Sequence, residues 1–130
     1  MVTEDYVSFE TAKLLKEKGF DENCATLYDL RNGELREKQT GYVFNNSQWD
    51  NFVTAPTLQM AMKWLREKYD LHIIVYPWEV VGEGKDSKHW CCQVYKSFNR
   101  LSCSKYTNET VKSYEDACEA AIRYCLENLI

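Results

Sequence analysis

The residue types best suited to binding chemistry are concentrated in residues 88–112, where basic and aromatic side chains are interleaved. The basic residues are Lys88, Lys96, Arg100, Lys105 and Lys112, and the aromatic residues between them include Tyr95 and Tyr106. Positive charge beside flat aromatic faces is what a protein needs to bind single-stranded nucleic acid without sequence preference. The alternative is a sheet whose rings, among them Trp90 and Phe98, face covering helices while its lysines face water. At the level of the sequence both interpretations stay open.

Two histidines and six cysteines are the candidates for catalysis or metal binding. His89 and Cys91 are two residues apart, so in a strand they share one face and could act as base and nucleophile. Cys92 falls on the opposite face, and the chain has no C-x-x-C pair, so the spacing does not suit a metal. The sequence predicts no catalytic residues, no cofactor and no metal, and it keeps a Cys91-dependent enzyme as a third hypothesis.

Aromatic residues make up 14% of the chain, and several fall in segments predicted to be irregular or at a sheet edge. Tyr76 and Trp78 flank Pro77, which cannot donate to a sheet ladder and therefore favours an edge position. Trp64 lies on a second apolar face of a predicted helix. Because Tyr and Trp are enriched at protein interfaces, we expect these three aromatic residues to contact a protein partner or a second copy of the chain. The alternative is that the rings fill the core.

Size and composition indicate a single globular domain over residues 1–130. The chain carries a net charge of −4 and has 45% apolar residues, enough to build a core. No stretch approaches the roughly 20 apolar residues of a membrane span, and the first ten residues hold three acids and no base, unlike a secretory signal. We therefore expect an intracellular protein with no membrane contact, whose cysteines are buried thiols rather than disulfides.

Three helices are predicted from apolar residues spaced three and four apart, over 8–18, 56–69 and 113–129. Ser8 begins the first helix and Gly19 ends it. Pro56 suits the first turn of the second helix. Ser113 and Asp116 form a capping motif at the start of the third.

Strands are predicted from runs of β-branched and aromatic residues over 71–81, 89–98 and 101–106, with a tight turn at Asn99 and Arg100. Residues 1–55 are less regular and hold the first helix, a strand over 24–30, a turn at 31–34 and a return strand over 41–44. The predicted fold class is α+β: an antiparallel sheet of three to five strands with helices packed on one face. Its core is the helix–three strands–helix arrangement of residues 56–130.

Three segments of the chain resemble a known family. They are YVSFETAKLLKEKGF at residues 6–20, APTLQMAMKWLRE at 55–67 and SYEDACEAAIRYCLENLI at 113–130. In this order they resemble a family of small uncharacterised proteins encoded by phages and prophages of gut Bacteroidales. The resemblance implies an accessory protein of a mobile element, acting in the cytoplasm of a bacterial host.

The leading functional hypothesis is a non-enzymatic protein–protein interaction module. The alternative is an accessory protein that binds nucleic acid through the basic and aromatic strands of residues 88–112. Charge reversal at Lys96, Arg100 and Lys105 distinguishes them, since it removes phosphate contacts and spares a contact built on aromatic side chains.

Overall fold

The structure is a computed structural model, and it describes residues 2–37, 43–47, 50–79, 88–97, 99–101 and 113–130. These ranges hold three helices and six strands, which confirms the predicted α+β class. In chain order they are α1 (Phe9–Glu17), β1 (Thr26–Asp29), β2 (Leu35–Glu37), β3 (Phe52–Thr54), α2 (Leu58–Tyr69), β4 (Leu71–Glu79), β5 (Lys88–Lys96), β6 (Asn99–Leu101) and α3 (Tyr114–Asn128).

Helix α1 begins and ends at the residues that the sequence predicts. The Ser8 hydroxyl accepts a hydrogen bond from the Thr11 amide at 3.2 Å and so caps the first turn. At the other end Gly19 adopts a φ of +93°, and the Phe20 amide reaches back to the Leu15 carbonyl at 2.9 Å. This backbone contact fixes Phe20 in the core, where its side chain is buried.

The N-terminal sheet is antiparallel and has the strand order β2-β1-β3. The predicted first strand is confirmed as β1, and the predicted turn after it contains Gly33 at a φ of +72°. Residues 41 and 42 of the predicted return strand lie outside the described residues, and Phe44 forms an isolated bridge with Cys24. The sequence did not predict β3, because three buried residues are too few to show an alternating pattern.

Helix α2 begins at Leu58, so the prediction of Pro56 in its first turn is wrong. Thr57 is the capping residue, and its hydroxyl accepts from the Met60 amide at 3.1 Å. Pro56 instead lies beside the N-terminal segment, and its carbonyl accepts a hydrogen bond from the Val7 amide at 3.0 Å. The helix starts late because this long-range contact holds the chain extended through Pro56.

The C-terminal sheet has the strand order β4-β5-β6, and both pairings are antiparallel. Pro77 lies within β4, which is an edge strand of the described sheet, as the sequence predicts. The predicted turn at Asn99 and Arg100 is wrong: Lys96 pairs with Asn99, so the turn comes earlier and includes Ser97 at a φ of +50°. Residues 102–106 of the predicted third strand lie outside the described residues.

The helices connect the two sheets. Helix α3 packs on β4 and β5 and contacts α1 and α2, while α1 also contacts β3. The buried stripe of α3 follows the predicted spacing and consists of Cys118, Ala121, Ile122, Cys125 and Leu126. Among the helices within the described ranges, none combines the length and apolar character needed to cross a bilayer.

Candidate functional site

The candidate surface is the face of the C-terminal sheet turned away from the helices, which includes the exposed Ile74. Residues directly opposite each other in an antiparallel pair share one face. Trp90 lies on the helix-covered face and packs edge-on against Tyr114 of α3, with ring centroids 5.4 Å apart. We call the opposite surface the outer sheet face, formed by the even-numbered residues 72–76 of β4 and the odd-numbered residues 89–95 of β5.

Ile74 is the exposed apolar centre of the outer sheet face. Its side chain is 48% exposed, and Gln93 of β5 lies directly opposite. The Gln93 amide donates to the Tyr76 hydroxyl at 3.3 Å, and its oxygen accepts from the Tyr95 hydroxyl at 3.0 Å. Tyr76 and Tyr95, both hydrogen-bonded to the side-chain amide of Gln93, therefore lie beside the exposed Ile74.

A second network orders one end of this surface. Asp70 ends α2 with a left-handed φ of +55°, and its carboxylate binds Ser97 Oγ at 2.6 Å and His72 Nε2 at 2.7 Å. The hydrogen bonds from Ser97 and then His72 lower the pKa of Asp70 below its usual range. These contacts hold the start of β4 against the turn between β5 and β6.

The other end of the outer sheet face holds the predicted base and nucleophile. His89 is 6% exposed and Cys91 is 4% exposed, and both lie on the outer sheet face as predicted. Tyr76 lies opposite Cys91 in the register, and His89 Nδ1 has no hydrogen-bond partner among the described residues. Such burial leaves the thiol little access to a substrate from solvent.

No group of three or more His, Cys, Asp or Glu side chains within the described ranges is arranged to hold a metal ion. The alternation predicted for β5 holds, since Cys92 is buried on the helix side. Cys103 lies outside the described residues.

Four residues of the predicted basic and aromatic cluster lie on β5 and β6: Lys88, Tyr95, Lys96 and Arg100. The backbones of Tyr95 and Arg100 are directly opposite each other in the register, and Tyr95 lies on the outer sheet face. Lys88 and Lys96 lie at opposite ends of β5, and by strand alternation the exposed Lys96 belongs to the face opposite Tyr95. The remaining members, Lys105, Tyr106 and Lys112, lie outside the described residues.

The three aromatic residues predicted at an interface fall in different places. Trp64 is only 7% exposed and packs in the core, with its ring 5.3 Å from those of Phe20 and Tyr69. The small part of Trp64 that stays exposed lines a cleft of about 300 Å³ beside Met60 and Lys63. Tyr76 is half-buried on the outer sheet face, and the backbone of Trp78 pairs with that of His89.

The sequence did not reveal an acidic cleft of about 560 Å³. It lies between the N-terminal segment, β1, β2 and the start of α3, and its carboxylates come from Glu4, Asp5, Glu37, Glu115, Asp116 and Glu119. These residues are far apart in the chain, so no local pattern brings them together. The clustered negative charge repels phosphate from this end of α3, which argues against nucleic-acid binding there.

Comparison with known proteins gives no match: no protein-family model fits the chain, and no curated protein or solved structure is significantly similar to it. The function is therefore inferred from the fold and the outer sheet face.

Proposed function

We propose that this chain is a non-enzymatic protein-interaction module that binds its partner through the outer sheet face. The observation that carries the proposal is the exposed Ile74 beside the hydrogen-bonded Tyr76–Gln93–Tyr95 network. We also propose that it serves as an accessory protein of a phage or prophage, as the resemblance of three of its segments implies.

The physical case rests on what this surface offers a partner. Covering an exposed isoleucine removes apolar area from water, and burial of such a side chain contributes about 1.5–3 kcal/mol at most. Tyr side chains contribute large contact areas and retain a polar end, which is why interfaces are enriched in them. Since Gln93 already orders both Tyr hydroxyls, the side-chain entropy lost on binding is reduced.

The chemistry of the expected partner follows from the residues on this surface. Ile74, Tyr76, Gln93 and Tyr95 carry no formal charge. A complementary protein surface presents an apolar side chain to Ile74 and hydrogen-bonding groups to the flanking hydroxyls and amide.

Site-specific photo-crosslinking tests the proposal. A photoreactive residue replaces Ile74 in one variant and Lys63, whose side chain is 64% exposed on α2, in a matched control. We expect a defined crosslinked protein from position 74 and none from position 63 in extracts of the bacterial host. The protein identified by mass spectrometry is then purified, and Ile74→Arg is expected to abolish its binding.

A different result would overturn the proposal. Equal crosslinking from both positions, or binding unaffected by Ile74→Arg, would exclude the outer sheet face as the binding surface. Fluorescence anisotropy against single-stranded DNA, duplex DNA and duplex RNA tests the alternative, and we expect no binding at low or physiological salt. Salt-sensitive binding that is lost in Arg100→Glu would favour a nucleic-acid-binding protein instead.

A further inference from the structure

The long strand β4 has one edge that no strand of the described residues occupies. Its nine residues pair with β5 along their whole length, from Leu71 opposite Lys96 to Glu79 opposite Lys88. Within the described ranges the sheet ends there. A long strand at an edge presents a row of amide and carbonyl groups that can pair with another strand.

Pro77 indicates which backbone amide and carbonyl groups of β4 point away from β5, toward that edge. The pairing with β5 continues past Pro77 to Glu79, although proline has no N–H to donate. Within a sheet, proline is tolerated where its nitrogen faces away from the neighbouring strand. Backbone groups alternate in direction along a strand, so those of Leu71, Ile73 and Val75 also point away from β5.

The charge of β4 suits pairing with an identical strand. A two-fold contact places the same surface of each copy together, so a charged residue close to the axis would face its own counterpart. The stretch from Leu71 to Trp78 contains no Asp, Glu, Lys or Arg. Charged side chains, lysine above all, are a common protection of edge strands, and this stretch has only Pro77 near one end.

We propose that β4 pairs antiparallel with β4 of a second copy of this chain, centred on Ile73. In this register Ile73 lies opposite Ile73 of the second copy, and Leu71 lies opposite Val75. The backbone groups of Leu71, Ile73 and Val75 in each copy then form hydrogen bonds with the other copy. Pro77 lies outside the paired segment. The C-terminal sheets of the two copies, each three-stranded within the described residues, then become one continuous sheet.

This pairing goes beyond the proposed function and is independent of it. It uses the backbone edge of β4, whereas the proposed partner contacts side chains on the outer sheet face. The self-pairing places Ile74 of one copy opposite His72 of the other. Antiparallel pairs of this kind, which do not exchange backbone hydrogen bonds, bring Cα atoms to about 4.5 Å.

Sedimentation velocity of the full chain across a wide concentration range gives the first test. We expect a reversible monomer–dimer equilibrium, and we expect Val75→Pro to remove the dimer. Val75 points its amide away from β5, so the variant loses a donor to the second copy and keeps the β4–β5 ladder. Far-UV circular dichroism establishes that the variant retains its secondary structure.

Disulfide trapping tests the register without depending on the proline variant. In a Cys103→Ser background, His72→Cys is mixed with Ile74→Cys under mild oxidation. We expect the mixed disulfide dimer to form faster than a dimer of either variant alone. Ile74→Cys mixed with Tyr76→Cys is the matched control, because these two positions are not opposite in the proposed register.

A chain that stays monomeric at every concentration would overturn the self-pairing, as would equal trapping in the mixed and control pairs. A dimer that persists in a folded Val75→Pro variant would do the same. None of these results affects crosslinking from position 74 to a different protein, so a failure of the self-pairing is distinguishable from a failure of the proposed function.

Discussion

At the scale of single residues, Asp29 is the acid most firmly held by its neighbours. Its side chain is buried at the end of β1, where Arg31 donates from its backbone amide at 2.9 Å and from its guanidinium at 2.8 Å. Arg36 adds a second positive charge at 3.4 Å. The hydrogen bonds from Arg31, and then the charges of both arginines, hold the pKa of Asp29 well below its usual range.

This lowered pKa predicts an acid-dependent loss of stability. The ionised carboxylate stabilises the fold at any pH above its ordinary pKa of about 3.9, and that contribution is lost as the pH falls through the lower pKa of the folded state. Asp29→Asn is therefore expected to be less stable than the unmodified chain at neutral pH, and the difference is expected to narrow in acid. Urea unfolding at a series of pH values measures this difference in the free energy of unfolding.

Glu67→Gln serves as the control for the Asp29 experiment. Glu67 is 70% exposed and lies 3.9 Å from Lys63 on the surface of α2, where an ion pair contributes little. We expect Glu67→Gln to change the free energy of unfolding only slightly at every pH. A constant difference between Asp29→Asn and the unmodified chain across the acid range would contradict the prediction.

At the scale of elements, Glu119 joins the first helix to the last. Its carboxylate on α3 accepts hydrogen bonds from the Ser8 amide at 3.1 Å, from Thr11 Oγ1 at 2.5 Å and from the Ser8 hydroxyl. It therefore adds a distant carboxylate to the N-terminus of α1, where the helix dipole favours negative charge. This contact spans more than one hundred residues of sequence and orients α1 on α3.

Glu119→Ala is expected to lower the free energy of unfolding by about 1–3 kcal/mol, because it leaves the hydroxyl of the buried Thr11 without this acceptor. Chemical denaturation followed by circular dichroism measures the loss. Glu127→Ala on the same helix is the matched control, since Glu127 forms only a surface pair with Arg123 at 3.3 Å. We expect that control to change stability by no more than about 0.5 kcal/mol, and equal losses in the two variants would contradict the role of Glu119.

At the scale of the whole molecule, the fold encloses the five cysteines among the described residues. Cys24, Cys91, Cys92, Cys118 and Cys125 are all buried, and none of these five forms a disulfide. Burial raises the pKa of both Cys24 and Cys118 to about 11, so their reactive thiolate forms are scarce at neutral pH.

In a Cys103→Ser variant, we expect the five buried thiols to react slowly with an aromatic disulfide reagent while the protein is folded. In denaturant all five are expected to react at once, since unfolding exposes them and removes the effect of burial on their pKa. The absorbance of the released thiolate gives both rates. Fast reaction of Cys91 in the folded protein would contradict the burial and would revive the hypothesis of a Cys91-dependent enzyme.

The sequence by itself determined both ends of α1, the start of α3 and the order of the elements from α2 onward. Ser8, Gly19 and Ser113 act through hydrogen bonds and dihedral angles within a few residues, so their positions can be inferred locally. The stripe of α3 and the strands of the second half also follow local periods, which is why the α+β class could be predicted.

The tertiary structure alone decided which residues meet. Pro56 stays outside α2 because Val7 binds its carbonyl, and Trp64 is in the core because Phe20 and Tyr69 pack against it. The backbone of Arg100 pairs with that of Tyr95 because the chain turns at Ser97, whereas the sequence predicted the turn at Asn99 and Arg100. Ile74 likewise is exposed because α2 and α3 cover the opposite face of β4. Such contacts join distant parts of the chain, so neither local propensity nor periodicity specifies them.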